Sequence, residues 1–238
     1  MMEPGVVLAS LDSDRLRLDG VIADFCRAVV AEPLCYFSEA DLQGMLYARM
    51  VSAFPAQVET SCNRGPDSKG CYRTGVVHRE YGAGGSRRID IALFSEKDVA
   101  AISGPNLKLG STYMKPRFAI ELGTEKTVDT AAHIASDLEK LSQATERGYL
   151  IHFYRDASKA DSGTPTRAKT EQRLEDAFRL PVVNARSHDK VRSLCFLLRI
   201  ARSSRTIHGK CELFHPESGA WRKVNLGRVR EAVLETLR

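Results

Sequence analysis

Two short apolar segments constrain this chain more than any other feature. RRIDIALF (87–94) and RFAIELG (117–123) both alternate with a period of two, as a β-strand does when its two faces meet different surroundings. In the first, Ile89, Ile91 and Leu93 share one face, while Arg88, Asp90, Ala92 and Phe94 share the other. In the second, Phe118, Ile120 and Leu122 oppose Ala119, Glu121 and Gly123. Each segment thereby sets one carboxylate among apolar residues. A lone ionised carboxylate in a core is costly, so such groups are paired, protonated or bound to a cation. Whatever this chain folds into has to give Asp90 and Glu121 one of those solutions.

The surrounding pattern is that of an α/β protein. A first helix is expected within residues 11–32, with Leu16, Ile22, Phe25, Val29 and Val30 as its apolar stripe before Pro33. FSEADLQGMLYARMVSAFP reads as a second helix, opened by Ser38 with Asp41 three residues on and closed by Pro55. Its inward face, Leu42, Met45, Leu46 and Met50, also takes in Glu39 at the first turn. A carboxylate there is either a partner for the helix dipole or a site residue looking into the fold. RTGVVHREY (73–81) reads as a strand and GAGGS (82–86) as a turn.

After the two carboxylate strands, a helix over roughly 128–147 turns Ile134, Leu138 and Leu141 inward, with His133, Asp137 and Lys140 along a neighbouring polar edge. His133 there reads as a surface histidine in preference to a ligand. GYLIHFYRD (148–156) returns as a buried strand. TRAKTEQRLEDAFRL is a basic amphipathic helix, VRSLCFLLRIAR a strand in preference to a helix, CELFHPESGAWRKVNL a hairpin, and REAVLETLR a closing helix. The expected organisation is an N-terminal helical segment (1–37), a core (38–156) and a basic C-terminal α/β extension (157–238) packed on it.

Charge is distributed unevenly. Residues 1–60 carry 4 Lys/Arg against 9 Asp/Glu, a net −5, whereas residues 166–238 carry 16 against 8, a net +8. A basic C-terminal third suits a polyanion such as DNA or RNA. The six cysteines form no C-x-x-C pair and read as reduced thiols; Cys62, Cys71 and His78 lack a regular zinc-ligand spacing. No apolar run approaches the roughly 20 residues of a membrane span. MMEPGVVLASLDSD lacks the basic start and long apolar stretch of a secretory leader, which makes the cytoplasm the expected location. GAGGS joins two strands rather than a strand and a helix, so it is not a phosphate loop.

The helix with Glu39, then RRIDIALF, then FAIELGTEK, resembles the PD-(D/E)XK, or restriction-endonuclease-like, nuclease superfamily. The succession helix, three strands, helix, strand is similar to that family's core over about residues 38–156, half of the chain. The resemblance implies a mixed sheet flanked by helices, with Mg²⁺ or Mn²⁺ held by Asp90, Glu121 and the Leu122 carbonyl, and Glu39 as the acid from the helix. Glu80 is a weaker candidate. It also implies phosphodiester hydrolysis in DNA, in restriction, defence or repair.

Phosphate grip would fall to Arg167, Lys169, Arg173, Arg186, Lys190 and Arg192, and a homodimer would let two sites address both strands. This sequence departs from the pattern at Gly123, where the family has a lysine that helps to activate water. Lys126 is the first replacement expected, Lys140 the next and Arg88 a third source of positive charge. The alternative is a catalytically inactive module of the same fold that binds nucleic acid or partner proteins.

Overall fold

In the computed structural model the chain is described for residues 4–63, 69–82, 88–101, 103–104, 114–124, 130–156, 172–173, 175–177, 190–200, 210–215 and 218–238. Two helices come first, α1 (Pro4–Ala31) and α2 (Glu39–Ala53). A hairpin of β1 (Gln57–Asn63) and β2 (Lys69–Gly75) follows, then β3 (Val77–Gly82), β4 (Arg88–Leu93), the short helix α3 (Glu96–Ala100) and β5 (Ser103–Gly104). Next come β6 (Phe118–Thr124), α4 (Thr130–Ala144), β7 (Arg147–Asp156), β8 (Val191–Arg199), β9 (Lys210–His215) and β10 (Ala220–Asn225), and the C-terminal helix Val229–Leu237 closes the chain. No described helix is long and apolar enough to cross a membrane.

Seven strands form one mixed sheet in the order β10-β9-β8-β7-β6-β4-β3. β6, β7 and β8 run parallel at its centre, and every other pairing in it is antiparallel. The sheet runs unbroken past residue 156, because β8 pairs with β7 along its whole length from Gly148↔Val191 to Asp156↔Arg199. The central strands are buried nearly end to end, as parallel strands covered on both faces must be. A second, three-stranded sheet, β2-β1-β5, stands apart from it. The segment expected as one strand over 73–81 is therefore divided: Arg73–Gly75 closes β2, which pairs with β1, and Val77 opens β3, which pairs with β4. Branched and aromatic residues continue across the break, so strand composition could not reveal the change of sheet at Val76, although Val76 and Val77 are both buried.

Helices cover the two faces unequally. On one face Tyr149 and Phe153 of β7 meet α1, where the Tyr149 hydroxyl donates to Asp19 Oδ1 at 2.8 Å and Phe153 packs edge-on against Phe25 at 5.8 Å. The stripe of α1 is Leu18, Ile22, Phe25, Cys26, Val29 and Val30, all buried. Leu16, expected in that stripe, is 62% exposed, since the spacing of 3 and 4 leads back from Ile22 to Leu18. α2 begins as expected: Ser38 caps it, with Asp41 completing a capping box. On the other face lies α4, two residues inside its expected start and three inside its end. The possible caps Thr127 and Asp129 lie outside the described residues, as do GAGGS beyond Gly82 and most of the basic helix over 166–180.

Gly148 is the point of closest approach between α4 and β7. A Cβ built there would lie 2.8 Å from Leu141 Cβ, with two further Leu141 carbons at 3.3 Å. Gly148→Ala is therefore expected to lever α4 outward at a cost of about 1–3 kcal/mol. A thermal melt should show the midpoint lower by roughly 3–10 °C for a chain of this size; an unchanged midpoint would mean that the helix is not seated as described.

Candidate active site at the seam between two strands

The pairing of β4 with β6 is short. It covers Ile91↔Ile120, Ala92↔Ala119 and Leu93↔Phe118, and stops one residue before Asp90 and Glu121 would face each other. β4 meanwhile keeps its partner β3 as far as Gly82↔Arg88. The β3–β4 hairpin thus peels away from β6 just where both segments carry their carboxylates. Two backbone groups at the opening are bonded by side chains. The Leu122 N–H donates to Asp90 Oδ2 at 2.7 Å, and the Arg88 carbonyl accepts from Lys140 Nζ at 2.8 Å.

Across β4 from Asp90 stands Glu80, the one described non-glycine residue with a left-handed backbone (φ 50°). That conformation costs an ordinary residue about 1–2 kcal/mol. The regular ladder is therefore disturbed on both sides of Asp90.

Lys140 reaches the seam from α4. Its ammonium lies 2.7 Å from Glu121 Oε2 and 3.2 Å from Asp137 Oδ1, besides the Arg88 carbonyl, so three acceptors meet its three protons. Asp137 also lies 3.3 Å from His133 Nε2. The result is a line of polar groups from half-exposed His133 through Asp137 and Lys140 to buried Glu121. The second oxygen of that carboxylate, Glu121 Oε1, is buried and accepts no hydrogen bond among the described residues.

Both strand acids bind protons unusually tightly. Asp90 is raised to about 7, first by burial, with the Glu39 carboxylate adding to the effect and the Leu122 N–H opposing it. Glu121 is raised to about 9, again first by burial and then by the nearby Asp90 carboxylate, against the pull of Lys140. Lys140 is desolvated, which would lower it, but the Glu121 and Asp137 carboxylates outweigh that loss and raise it. Lys140 is thus an ammonium at neutral pH, able to donate hydrogen bonds and to offset negative charge but not to accept a proton.

Among the described residues no three His, Cys, Asp or Glu side chains are arranged to hold a metal ion. The set that Asp90, Glu121 and the Leu122 carbonyl could offer is all oxygen and carries two carboxylates. That is the number with which Mg²⁺, which keeps several of its waters, is commonly bound. The bare oxygen of Glu121 and the high proton affinity of both acids are the features a hard cation would relieve.

The sequence-derived candidates fare differently. Asp90, Glu121, Leu122 and Lys140 meet at the seam, and Glu39 lies close enough to act on Asp90. Lys126 lies outside the described residues. Arg88 contributes its carbonyl there. Of the expected phosphate-binding residues, Arg167, Lys169 and Arg186 lie outside the described residues, and Arg173 is exposed on a short helical stretch. Lys190 is exposed at the entry to β8, with its carbonyl accepting from Gly148. Arg192 is half-buried beside Asp19, on the α1 face and away from the seam. His78 belongs to an aromatic cluster with Tyr81 and Phe94. Asp137 is the site residue that sequence reasoning did not single out; its signal was the i, i+4 and i, i+3 spacing to His133 and Lys140.

Gly123 has a physical explanation. Gly123 and His152 are partners on β6 and β7, and a Cβ at position 123 would lie 2.3 Å from His152 Nδ1. The histidine, 1% exposed, occupies the room in which a side chain at 123 would begin.

No family model matches this sequence, and no curated protein matches it. Among solved structures, NucC of E. coli MS115-1 in its cAAA-bound form aligns with 99% of this chain and 92% of its own, at 9% identity and a TM-score of 0.34.

Two outcomes follow from this geometry. Gly123→Lys should lower the melting midpoint and bring no gain in any activity, because the new side chain has to displace a buried ring. Asp90→Asn should act on stability with a defined pH dependence. Between its ordinary value of 3.8 and its folded value of about 7, native Asp90 holds a proton that the unfolded chain has released. Stability contributed by that proton is present at low pH and is lost as pH rises through about 7. An amide is neutral throughout and still accepts from Leu122. Its melting midpoint should exceed that of the native protein by roughly 5 °C or more at about pH 8, with the gap closing towards about pH 4.

Proposed function

We propose that this protein is a metal-dependent nuclease of the restriction-endonuclease-like class that hydrolyses phosphodiester bonds in DNA, with Lys140 in the role of the motif lysine. The observation that carries the reading is the convergence of Asp90, Glu121 and Lys140 at one opening in the sheet, with a Glu121 oxygen left bare. Asp90, Glu121 and the Leu122 carbonyl would hold Mg²⁺ or Mn²⁺, and Glu39 stands ready on the α2 side. When bound, such a cation lowers the pKa of a water and offsets charge on the phosphoryl oxygens.

The chain's own groups supply the rest. The Lys140 ammonium, held between Glu121 and Asp137, donates to the attacking water or to a non-bridging phosphoryl oxygen and so orients the reactants. Attack forms a bond from the water oxygen to phosphorus, breaks the phosphorus–oxygen bond to the leaving strand, whose oxygen takes up a proton from solvent, and releases the attacking water's proton. Lys140 cannot take that proton, so acceptance falls to a carboxylate or to solvent. Basic residues of the C-terminal third would contact backbone phosphates with little sequence information.

Incubation with supercoiled plasmid and Mg²⁺ or Mn²⁺ tests the proposal. Nicked or linear product is expected, abolished by chelation and by Asp90→Ala or Glu121→Ala. Lys140→Met should reduce the rate by about a hundredfold or more while DNA binding persists. If the protein binds DNA but neither Mg²⁺ nor Mn²⁺ supports any cutting, it is a binding module of the same fold.

A further inference from the structure

We propose that His133 is a positioning residue for the Lys140 ammonium and acts on it through Asp137; the proposal rests on the nuclease reading. Lys140 carries its charge on a flexible four-carbon stem, so its place at the seam depends on what holds it. Glu121 Oε2 lies 2.7 Å from Nζ, the Arg88 carbonyl accepts from it at 2.8 Å, and Asp137 Oδ1 stands 3.2 Å away on the helix side. His133 Nε2 stands 3.3 Å from the other Asp137 oxygen, Oδ2. The Asp137 side chain is 6% exposed and that of His133 35%. A carboxylate so far out of water needs a partner at each oxygen. Lys140 takes one and His133 the other, which gives a histidine on a helix edge more than a surface role.

All three side chains belong to α4, whose seat on the sheet is fixed by buried Ile134, Leu138 and Leu141. Side chains on a helix lean towards its N-terminus, so Lys140 leans on Asp137 and Asp137 on His133, in the first turn. The line is therefore anchored at its outer end by the imidazole. With that ring removed, Oδ2 loses the cation beside it, and the carboxylate is free to turn towards water and carry Oδ1 away from Lys140. The ammonium then keeps Glu121 and the Arg88 carbonyl but loses the acceptor on the helix side, and its position over the seam is no longer fixed. A displacement of about 1 Å at a reacting group costs up to about a hundredfold in rate. An exposed pair on a helix, by contrast, would leave chemistry at the seam untouched.

Cleavage kinetics and the NMR signal of the Lys140 ammonium, in protein labelled with ¹⁵N-lysine, test the proposal on the full chain. His133→Ala should lower kcat about tenfold with KM little changed. His133→Gln keeps an N–H for Asp137 at the same helical spacing and should restore most of the rate. In a Lys140→Met background His133→Ala should cost nothing further, because a residue that works through Lys140 has nothing left to position. The ammonium signal, identified by its loss in Lys140→Met, should broaden or vanish in His133→Ala and persist in His133→Gln. If His133→Ala cuts like the native protein, if its cost is undiminished in the Lys140→Met background, or if the ammonium signal is unchanged, the positioning role is wrong while the nuclease reading stands. If the native protein cuts DNA with neither metal, the nuclease reading fails, and the hold of His133 on Lys140 still stands or falls by the ammonium signal.

Discussion

The architecture of this protein turns on a failure of pairing. Three residues of β4 bond to β6, and then the strands part. An opening inside a sheet exposes backbone donors and acceptors that cannot remain bare when buried. Here two such groups are bonded by charged side chains, Asp90 on the Leu122 N–H and Lys140 on the Arg88 carbonyl. The same two contacts fix the direction in which the carboxylate and the ammonium point. Structural satisfaction of the seam and placement of the site's charged groups therefore rest on the same two contacts.

Such a site is held against its own electrostatics. Two acids whose proton affinities rise to about 7 and about 9 are acids the fold does not welcome in charged form. A chain selected for stability alone would have neutralised them, as buried ion groups often can be without loss. Lys140 compensates only in part, because Glu121 keeps one bare oxygen. Strain in the backbone at Glu80 falls opposite the same residue. Costs gathered at one point of an otherwise well-packed sheet are the usual mark of a place kept for chemistry.

Much of this was legible in the sequence because the governing rules are local. Period-two alternation placed Asp90 with Ala92 and Glu121 with Ala119, and the pairing Ala92↔Ala119 then puts both acids on one side. Ser38 and Asp41 announced the start of α2 for the same reason: a capping box is closed within four residues. What could not be read depended on neighbours distant in sequence. Leu16 and Leu18 differ only in which side of α1 meets the sheet. The passage from β2 to β3 at Val76 changes sheets within one run of strand-forming residues. Asp137 looked like any acid on a helix edge, because its importance comes from Lys140, whose own importance comes from Glu121 in another element.

If the proposed nuclease reading holds, the glycine at the place of the motif lysine shows how such distant constraints would decide chemistry. On β6 a side chain two residues after Glu121 would project on the same face and lie beside it, a short route for an ammonium. In this chain the neighbouring strand brings His152 against that position, and the ring leaves no room even for a Cβ. Positive charge must then arrive from the element covering that face, which is α4. A lysine there has to span the distance from helix to sheet, and on reaching the seam it needs support along its length; Asp137, one turn earlier, gives it. Glycine at 123 and the Asp137–Lys140 pair on α4 are accordingly two sides of one packing solution, in which the strand gives up the side chain and the helix provides it.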